Sequence, residues 1–285
     1  MLPEEQPNVS GESGGFATAS SAFYGPQYAR IDSELAAEIR REVFGEDIGQ
    51  ESWRSAEEQA EIGSLLGLTS ESRVLDVACG AGGPSLALVE RTCCSLTGLD
   101  IEREGIARAN AAAMKRHLAD RATFAVADCG ARLPFQDEMF DAVLCIDSIP
   151  HFRDRFDALA EWARLLRKRG RVVFTDPFVV TGAIAKSEID GRSALGSNLF
   201  FVPPGLNEEA IRAAGLALLR RQDRAGAVAE IAARRHAARL RRAAILKRDE
   251  GEAWYERRQL MLSTSAELAR SRRLSRFLYA AEKPS

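Results

Sequence analysis

The sequence predicts an α/β protein built on a doubly wound, mostly parallel sheet of seven strands, with an N-terminal helical lid and a later helical cap. Three observations predict it. From Arg73 onward, short apolar runs alternate with helical stretches. Five of those runs end at or beside an aspartate. The first of them opens into a glycine-rich loop, VLDVACGAGG, from Val74 to Gly83.

RVLDV, SLTGLD, TFAVAD, FDAVLCID and RVVFTD read as the five leading strands. Helices of roughly Pro84 to Glu90, Arg103 to Leu118 and Phe156 to Arg167 separate them. LALLRRQ and RFLYAAEK supply a sixth and a last strand. Two helices precede the sheet: Ile31 to Val43, with Leu35 and Ile39 on its apolar stripe, and Trp53 to Leu66, ending near Gly67. The segment after Asp176 is too long for an ordinary connection and reads as a cap over the site. NEEAIRAAG is a helix opened by Asn207 and closed by Gly215, and the Arg- and Ala-rich stretch after it reads as two long helices broken near Gly251. The expected organisation is a mobile tail (1–21), a lid (22–70), a core (71–177), a cap segment (178–205), a core helix and strand (206–224), a helical cap (225–273) and a final strand (274–285).

The 285 residues, 46% hydrophobic and 28% charged, suffice for one large domain with an accessory subdomain. No apolar run reaches the roughly 18 residues of a membrane span, and acidic and polar residues follow Met1, so a cytoplasmic protein is expected. A formal charge of −2 gives no global attraction to nucleic acid or acidic membranes. The five cysteines, two of them adjacent at Cys93 and Cys94, fit neither a disulfide framework nor a zinc spacing. Free thiols and no metal are expected.

In an open parallel sheet, ligands bind outside the carboxyl ends of the strands. Asp76, Asp100, Asp128, Asp147 and Asp176 therefore gather along one edge. A dinucleotide loop would set a pyrophosphate on the helix N-terminus, where Asp76 would repel it. A Gly-Lys-Ser or Gly-Lys-Thr triphosphate loop is absent. The loop favours a phosphate-free, positively charged nucleoside, and S-adenosylmethionine is the obvious candidate.

DVACGAGG resembles the D-x-G-x-G-x-G loop of class I S-adenosylmethionine-dependent methyltransferases, with Asp76, Gly80 and Gly82 matching and Ala78 departing. LTGLD resembles the second strand of that family, VADCG its adenine-contacting segment, and LPFQDEMFDAVLCIDSIPHFRD with LLRKRGRVVFTD its fourth and fifth strands. Lys168-Arg169-Gly170 replaces the usual Pro-Gly-Gly. The resemblance implies a Rossmann-like methyltransferase fold with S-adenosyl-L-methionine as cofactor. It implies Asp100 at the ribose hydroxyls, Asp128 at the adenine amine, Asp76 toward the amino group, and Ile101, Cys129 and Asp147 beside the cofactor. Gly80 and Gly82 are expected to admit the ligand where a Cβ would fill its space. Ala78 is expected to keep φ negative, because a left-handed alanine costs about 1 kcal/mol or more. Gln50 and Trp53 fall near GEDIGQ, which resembles a loop that closes over the cofactor in related enzymes.

Small-molecule members, including sugar O-methyltransferases typified by rebeccamycin 4′-O-methyltransferase, often carry a histidine pair at the turn after the fourth strand and an aspartate ending the fifth. This chain has Pro150, His151 and Asp176 at those places. His151 as general base oriented by Asp176 is the expected catalytic pair. His117 and His236 fall on helices and read as solvated. The aromatic residues Phe23, Tyr24, Tyr28, Trp53, Phe200, Phe201, Trp254 and Tyr255 lie where they could fold over the sheet edge.

The expected function is methyl transfer to a small-molecule acceptor, at oxygen first, with nitrogen or carbon as alternatives. A homodimer is compatible with such a chain. A nucleic-acid methyltransferase is the competing class, motivated by the arginines from Arg212 through Arg248. A solvated helix face accounts for them better, since Glu230, Asp249 and Glu250 intervene without aromatic stacking. A noncatalytic S-adenosylmethionine-binding scaffold is a third reading, and an NAD enzyme would have to explain Asp76.

Overall fold

The computed structural model describes residues 24–196 and 199–285. The expected tail (1–21), Phe23 and residues 197–198 of the cap segment lie outside them. Seven strands form one sheet in the order β3-β2-β1-β4-β5-β7-β6. They are β1 (Arg73–Val77), β2 (Ser95–Asp100), β3 (Ala122–Val126), β4 (Phe140–Ile146), β5 (Leu166–Val180), β6 (Ala217–Asp223) and β7 (Leu274–Glu282). β1 to β5 pair in parallel, and β7 runs antiparallel between β5 and β6. The central strands are near-continuous apolar runs because helices cover both faces: Val74, Leu75 and Val77 of β1 and Val143, Leu144 and Cys145 of β4 are all inaccessible to solvent.

The strand order reverses between β1 and β4, which opens a crevice at the carboxyl edge of the sheet. Asp100, Asp128 and Asp147 reach that edge at or just after a strand end, while Asp76 stands one residue before the end of β1. Asp176 does not reach it, because β5 continues past it and pairs again with β7 through Val179 and Val180. Its carboxylate is solvent-inaccessible and takes Arg155, Asn207 and the backbone N–H of Phe178 as partners.

The lid helices are α1 (Glu34–Phe44) and α2 (Ala56–Leu66). Each starts about three residues later than the apolar spacing predicts. The Ser33 and Ser55 hydroxyls accept from Ala36 N–H and Glu58 N–H and fix the first turns there. α2 ends at Gly67 in a left-handed conformation, as expected. Within the core, α3 (Gly83–Thr92), α4 (Arg103–Lys115) and α5 (Arg155–Leu165) follow the predicted pattern. A short helix, α6 (Lys186–Arg192), stands in the cap segment, and α7 (Leu206–Ala213) comes after it. Asn207 sits inside α7 with its amide on Asp176, and Gly205 takes the N-cap position that the sequence suggested for Asn207.

The helical cap is an insertion between the neighbouring strands β6 and β7. It holds three helices rather than two, α8 (Ala225–Leu240), α9 (Ala243–Glu250) and α10 (Glu252–Arg270). The additional break falls at Arg241 and Arg242, which pair with Glu42 of α1. Val228, Ala232 and Ala238 of α8 pack with Leu262 and Ala266 of α10, and Val43 and Trp53 of the lid join the same apolar cluster. Lid and cap therefore share one core.

Arg276 of β7 ties these parts to the sheet. Its guanidinium donates to both carboxylate oxygens of Glu58 on α2 at 2.6 and 3.0 Å, and to Asp147 after β4 at 2.6 Å. Asp147, at φ +61, also accepts from Trp53 N–H at 3.0 Å and from the Thr175 hydroxyl at 2.8 Å. Burial alone would raise the Asp147 carboxyl, but Arg276 and these donors hold it below the usual carboxylate range. Removing one member of such a buried cluster strands the others. Arg276→Met is expected to destabilise the fold by about 3 to 5 kcal/mol, read by urea unfolding monitored through tryptophan fluorescence.

Candidate functional site

The loop between β1 and α3 reverses the chain through a series of left-handed residues. Ala78 adopts φ +56, Gly80 +60 and Gly82 +71. The expectation of a negative φ at Ala78 is thus overturned: Cys79 N–H must reach the Leu99 carbonyl of β2, at 2.9 Å, while the chain doubles back toward α3. The alanine carries the left-handed cost of about 1 kcal/mol or more that a glycine would avoid.

Asp100 fastens this loop. Its carboxylate accepts Gly80 N–H at 2.8 Å and Glu102 N–H at 2.9 Å, and still faces a cavity of about 580 Å³ at the sheet edge. A Cβ on Gly80 would lie 2.8 Å from the Tyr28 hydroxyl, so the lid's tyrosine covers the loop. Gly82 has a different duty from the one expected. A Cβ there would meet Ala109 at 2.7 Å and Phe124 at 3.0 Å, so its bareness serves the packing of α3 rather than a ligand.

The cavity collects Ala78, Gly80, Asp100, Ile101, Asp128, Cys129, Asp147, His151 and Trp53 from the residues singled out by sequence. Asp128 accepts Gly130 N–H at 2.9 Å, and burial pushes the Cys129 thiol up to about 12. Asp147 lines the wall, but its oxygens are taken by Arg276, Thr175 and Trp53. Asp76 lies behind the loop, 2% exposed, and accepts from the Ser85 hydroxyl. Gln50 turns back into its own loop, donating to the Glu46 carbonyl and accepting from Ile48 N–H, both at 2.8 Å, and does not line the cavity. His151 faces the cavity from the turn after β4. Its Nε2 meets the Tyr24 hydroxyl at 2.8 Å, while Asp176 is bound elsewhere, so the expected His151–Asp176 pair does not form.

Tyr24, Tyr28 and Trp53 do fold over the edge as their positions suggested. Sequence reading missed the arginines. Arg54 lines the cavity with its Nε and Nη1 buried and without hydrogen-bond partners. Arg192, Arg235 and Arg258 line it as well. Arg235 and Arg258 converge on Glu51, and Arg239 pairs with Glu250, so the solvated-face reading fails for Arg235 and Arg239, which are 7% and 4% exposed. On an Ala-rich helix an arginine turned inward has the same spacing as one turned out, and only the position of Glu51 on the lid distinguishes them.

Burial raises Asp76 to about 6, against the pull of Arg54 and the Ser85 hydroxyl. Asp100 is likewise raised to about 6 by burial, against its two backbone N–H donors. Burial lowers Arg54 despite Asp76, Asp147 and Glu58 nearby.

A parallel sheet with one antiparallel strand before the edge, a left-handed loop after β1 and a cavity-facing carboxylate ending β2 are features in which the chain is similar to class I S-adenosylmethionine-dependent methyltransferases. Residues 75–174 match a family model described as a methyltransferase domain. The chain is similar to the 27-O-demethylrifamycin SV methyltransferase of Amycolatopsis mediterranei, 29% identical over 163 residues, covering 54% of this chain and 59% of that protein. It thus spans about three fifths of the length of that curated relative. By shape it is similar to a putative sarcosine dimethylglycine methyltransferase from Galdieria sulphuraria, with TM-score 0.69 and 23% identity over 80% of this chain and 83% of that one. It is also similar to phosphoethanolamine N-methyltransferase 2 of Haemonchus contortus, solved with phosphomonomethylethanolamine and S-adenosylhomocysteine, with TM-score 0.76 and 18% identity over 92% of this chain and 60% of that one.

Two outcomes are expected. Ala78→Gly should stabilise the protein by about 1 kcal/mol in urea unfolding, since the strained residue is relieved. The second concerns pH. Asp76 and Asp100 sit above the ordinary value of 3.8, so the ligand-free fold keeps protons that the unfolded chain releases. These two groups therefore weaken the fold as pH rises from 3.8 through about 6, and the penalty vanishes at lower pH. A guest that needs either carboxylate charged binds less tightly as pH falls below about 6. Titration calorimetry with S-adenosylhomocysteine should show a loss approaching about tenfold per pH unit in that range.

Proposed function

We propose that this protein transfers a methyl group from S-adenosylmethionine to a small-molecule acceptor, with a hydroxyl oxygen as the atom methylated. The observation that carries the reading is Asp100. It holds the loop through Gly80 and faces the cavity, leaving lone pairs for two ribose hydroxyls. Asp128 would take the adenine amine, and Ile101 and Cys129 would wall the base. The unpartnered nitrogens of Arg54 suit the carboxylate of the methionyl part, with Asp76 behind it as counter-charge. That donor set fits the cofactor: one buried cation for its carboxylate, one carboxylate for its ribose, and a glycine where a side chain would collide.

When bound, the cofactor supplies an electrophilic methyl on a sulfonium that leaves as a neutral thioether. The chain's own task is alignment, which can be worth on the order of 7 to 11 kcal/mol in favourable cases. Tyr24, Tyr28 and Trp53 cover the edge and keep water from the reacting atoms. His151 is the group placed to receive the acceptor's proton at Nε2, where the acceptor's hydroxyl would displace the Tyr24 hydroxyl that meets that nitrogen at 2.8 Å.

Oxygen is preferred because a cavity-facing histidine is the equipment a hydroxyl requires, and the rifamycin relative is named for an oxygen position. The partners in this reading are the cofactor and a small acceptor. Arg235, Arg239 and Arg241, which could have served nucleic acid, are instead paired with Glu51, Glu250 and Glu42. No described helix is long and apolar enough to cross a membrane. The free cysteines suit a reducing, cytoplasmic setting.

Incubation with labelled cofactor and a metabolite extract should yield a product one methyl heavier by mass spectrometry. Cofactor binding without any S-adenosylhomocysteine formed would sink the reading in favour of a binding scaffold. Asp100→Ala should weaken S-adenosylhomocysteine binding about tenfold or more. His151→Ala should lower kcat about 100-fold or more with that affinity unchanged. Normal turnover in the histidine variant removes it from the base role.

A further inference from the structure

The arginines around the cavity are not equivalent. Arg235 and Arg258 share Glu51, Arg276 holds Glu58 and Asp147, and Arg155 holds Asp176. Arg192, the last residue of α6, is 7% exposed, lines the cavity, and makes no hydrogen bond or ion pair with any described residue. Its guanidinium lies 4.1 Å from the Phe178 ring centroid and 5.6 Å from that of Trp53. Burial lowers it to about 10, with Tyr24 and Asp147 supporting the charge from a distance.

A buried cation without an ionic or hydrogen-bonded partner is costly, and here only aromatic faces and distant charge offset that cost. Aromatic faces hold the planar fork flat without consuming its N–H donors. The mounting is rigid. A Cβ on Gly191 would lie 2.7 Å from the Thr264 hydroxyl, so α6 is pressed onto α10 and fixes the base of the neighbouring arginine. Arg153 also lines the cavity but is exposed to solvent, whereas Arg54, the other buried cavity arginine without a hydrogen-bonded side-chain partner, lies near Asp76 behind the nucleotide loop. Arg192 is instead coupled to Tyr24, whose hydroxyl touches His151. The two buried guanidinium groups thus have different neighbours, Asp76 for Arg54 and Tyr24 for Arg192, although both feel Asp147.

We propose that Arg192 anchors a carboxylate on the methyl acceptor, which makes the acceptor class an apolar-bodied hydroxy acid; this rests on the methyltransferase reading of the same cavity. One free guanidinium matches a monoanion, and its fork accepts a carboxylate through two parallel hydrogen bonds. Phe178, Leu195, Leu199 and Leu262 line the same cavity and suit an apolar body. The acid end would sit at Arg192 and the hydroxyl near His151.

The test uses the full chain saturated with S-adenosylhomocysteine and two probes, para-hydroxybenzoate and para-hydroxyphenylacetate, each beside its primary amide, in titration calorimetry. At least one acid should bind about tenfold more tightly than its amide. Arg192→Met should abolish that preference while leaving amide and S-adenosylhomocysteine affinities unchanged, and Arg192→Lys should keep part of it. The unfolding temperature of the ligand-free Met variant should not fall, because the charge removed had no partner. Equal affinity for acid and amide, an acid preference surviving in Arg192→Met, or no acid binding while S-adenosylhomocysteine binds overturns the inference and leaves the methyltransferase reading standing. Failure of S-adenosylhomocysteine itself to bind overturns both.

Discussion

The contact of Arg276 with Glu58 and Asp147 is the constraint on which the site's geometry depends. It joins the last strand, a lid helix and the turn after β4 inside the protein, where each charge alone would be prohibitively desolvated. Coulombic attraction is strong there only while all three members stay together. Asp147 then passes the constraint on by accepting Trp53 N–H, which sets the segment carrying Trp53 and Arg54 above the sheet edge. One wall of the cavity is therefore fixed by residues more than a hundred positions away in the chain.

The sheet was legible because its strands are buried on both faces and read as apolar runs ended by polar turns. Asp100 and Asp128 were legible for the same reason, as each closes a strand with a fixed place at the edge. Asp176 misled because local pattern places the end of β5 there, whereas β7 supplies partners that let the strand run on. Gln50 misled because a polar residue in a loop resembles a ligand contact whether it faces outward or closes its own turn. The additional break in the helical cap falls at Arg241 and Arg242, which pair with Glu42 in a distant helix, and leaves no periodic trace.

The electrostatic reasoning about Asp76 needs revision even though it led to the right class. Asp76 does not confront a guest in the cavity; Ser85 and Arg54 meet it first. The loop's shape is set by its backbone, which Asp100 and the Leu99 carbonyl hold in a left-handed course, and the cavity beside it is lined by Arg54, which no motif announced. Ala78 accepts strain in that course without altering it.

The helical cap enters and leaves the sheet at two adjacent strands, β6 and β7, and contributes Arg235, Arg258 and Leu262 to the cavity. Its ends are thus anchored side by side, far along the sheet from the loop that receives the nucleoside. Substitutions at Leu262 can reshape the cavity wall, whereas those at Arg235 or Arg258 also reach Glu51 and, through it, the lid segment that carries Trp53 and Arg54. The outer face of this excursion is thus free to vary while the loop after β1 keeps its course, and the helices that do touch the cavity are bound to the lid they lean on.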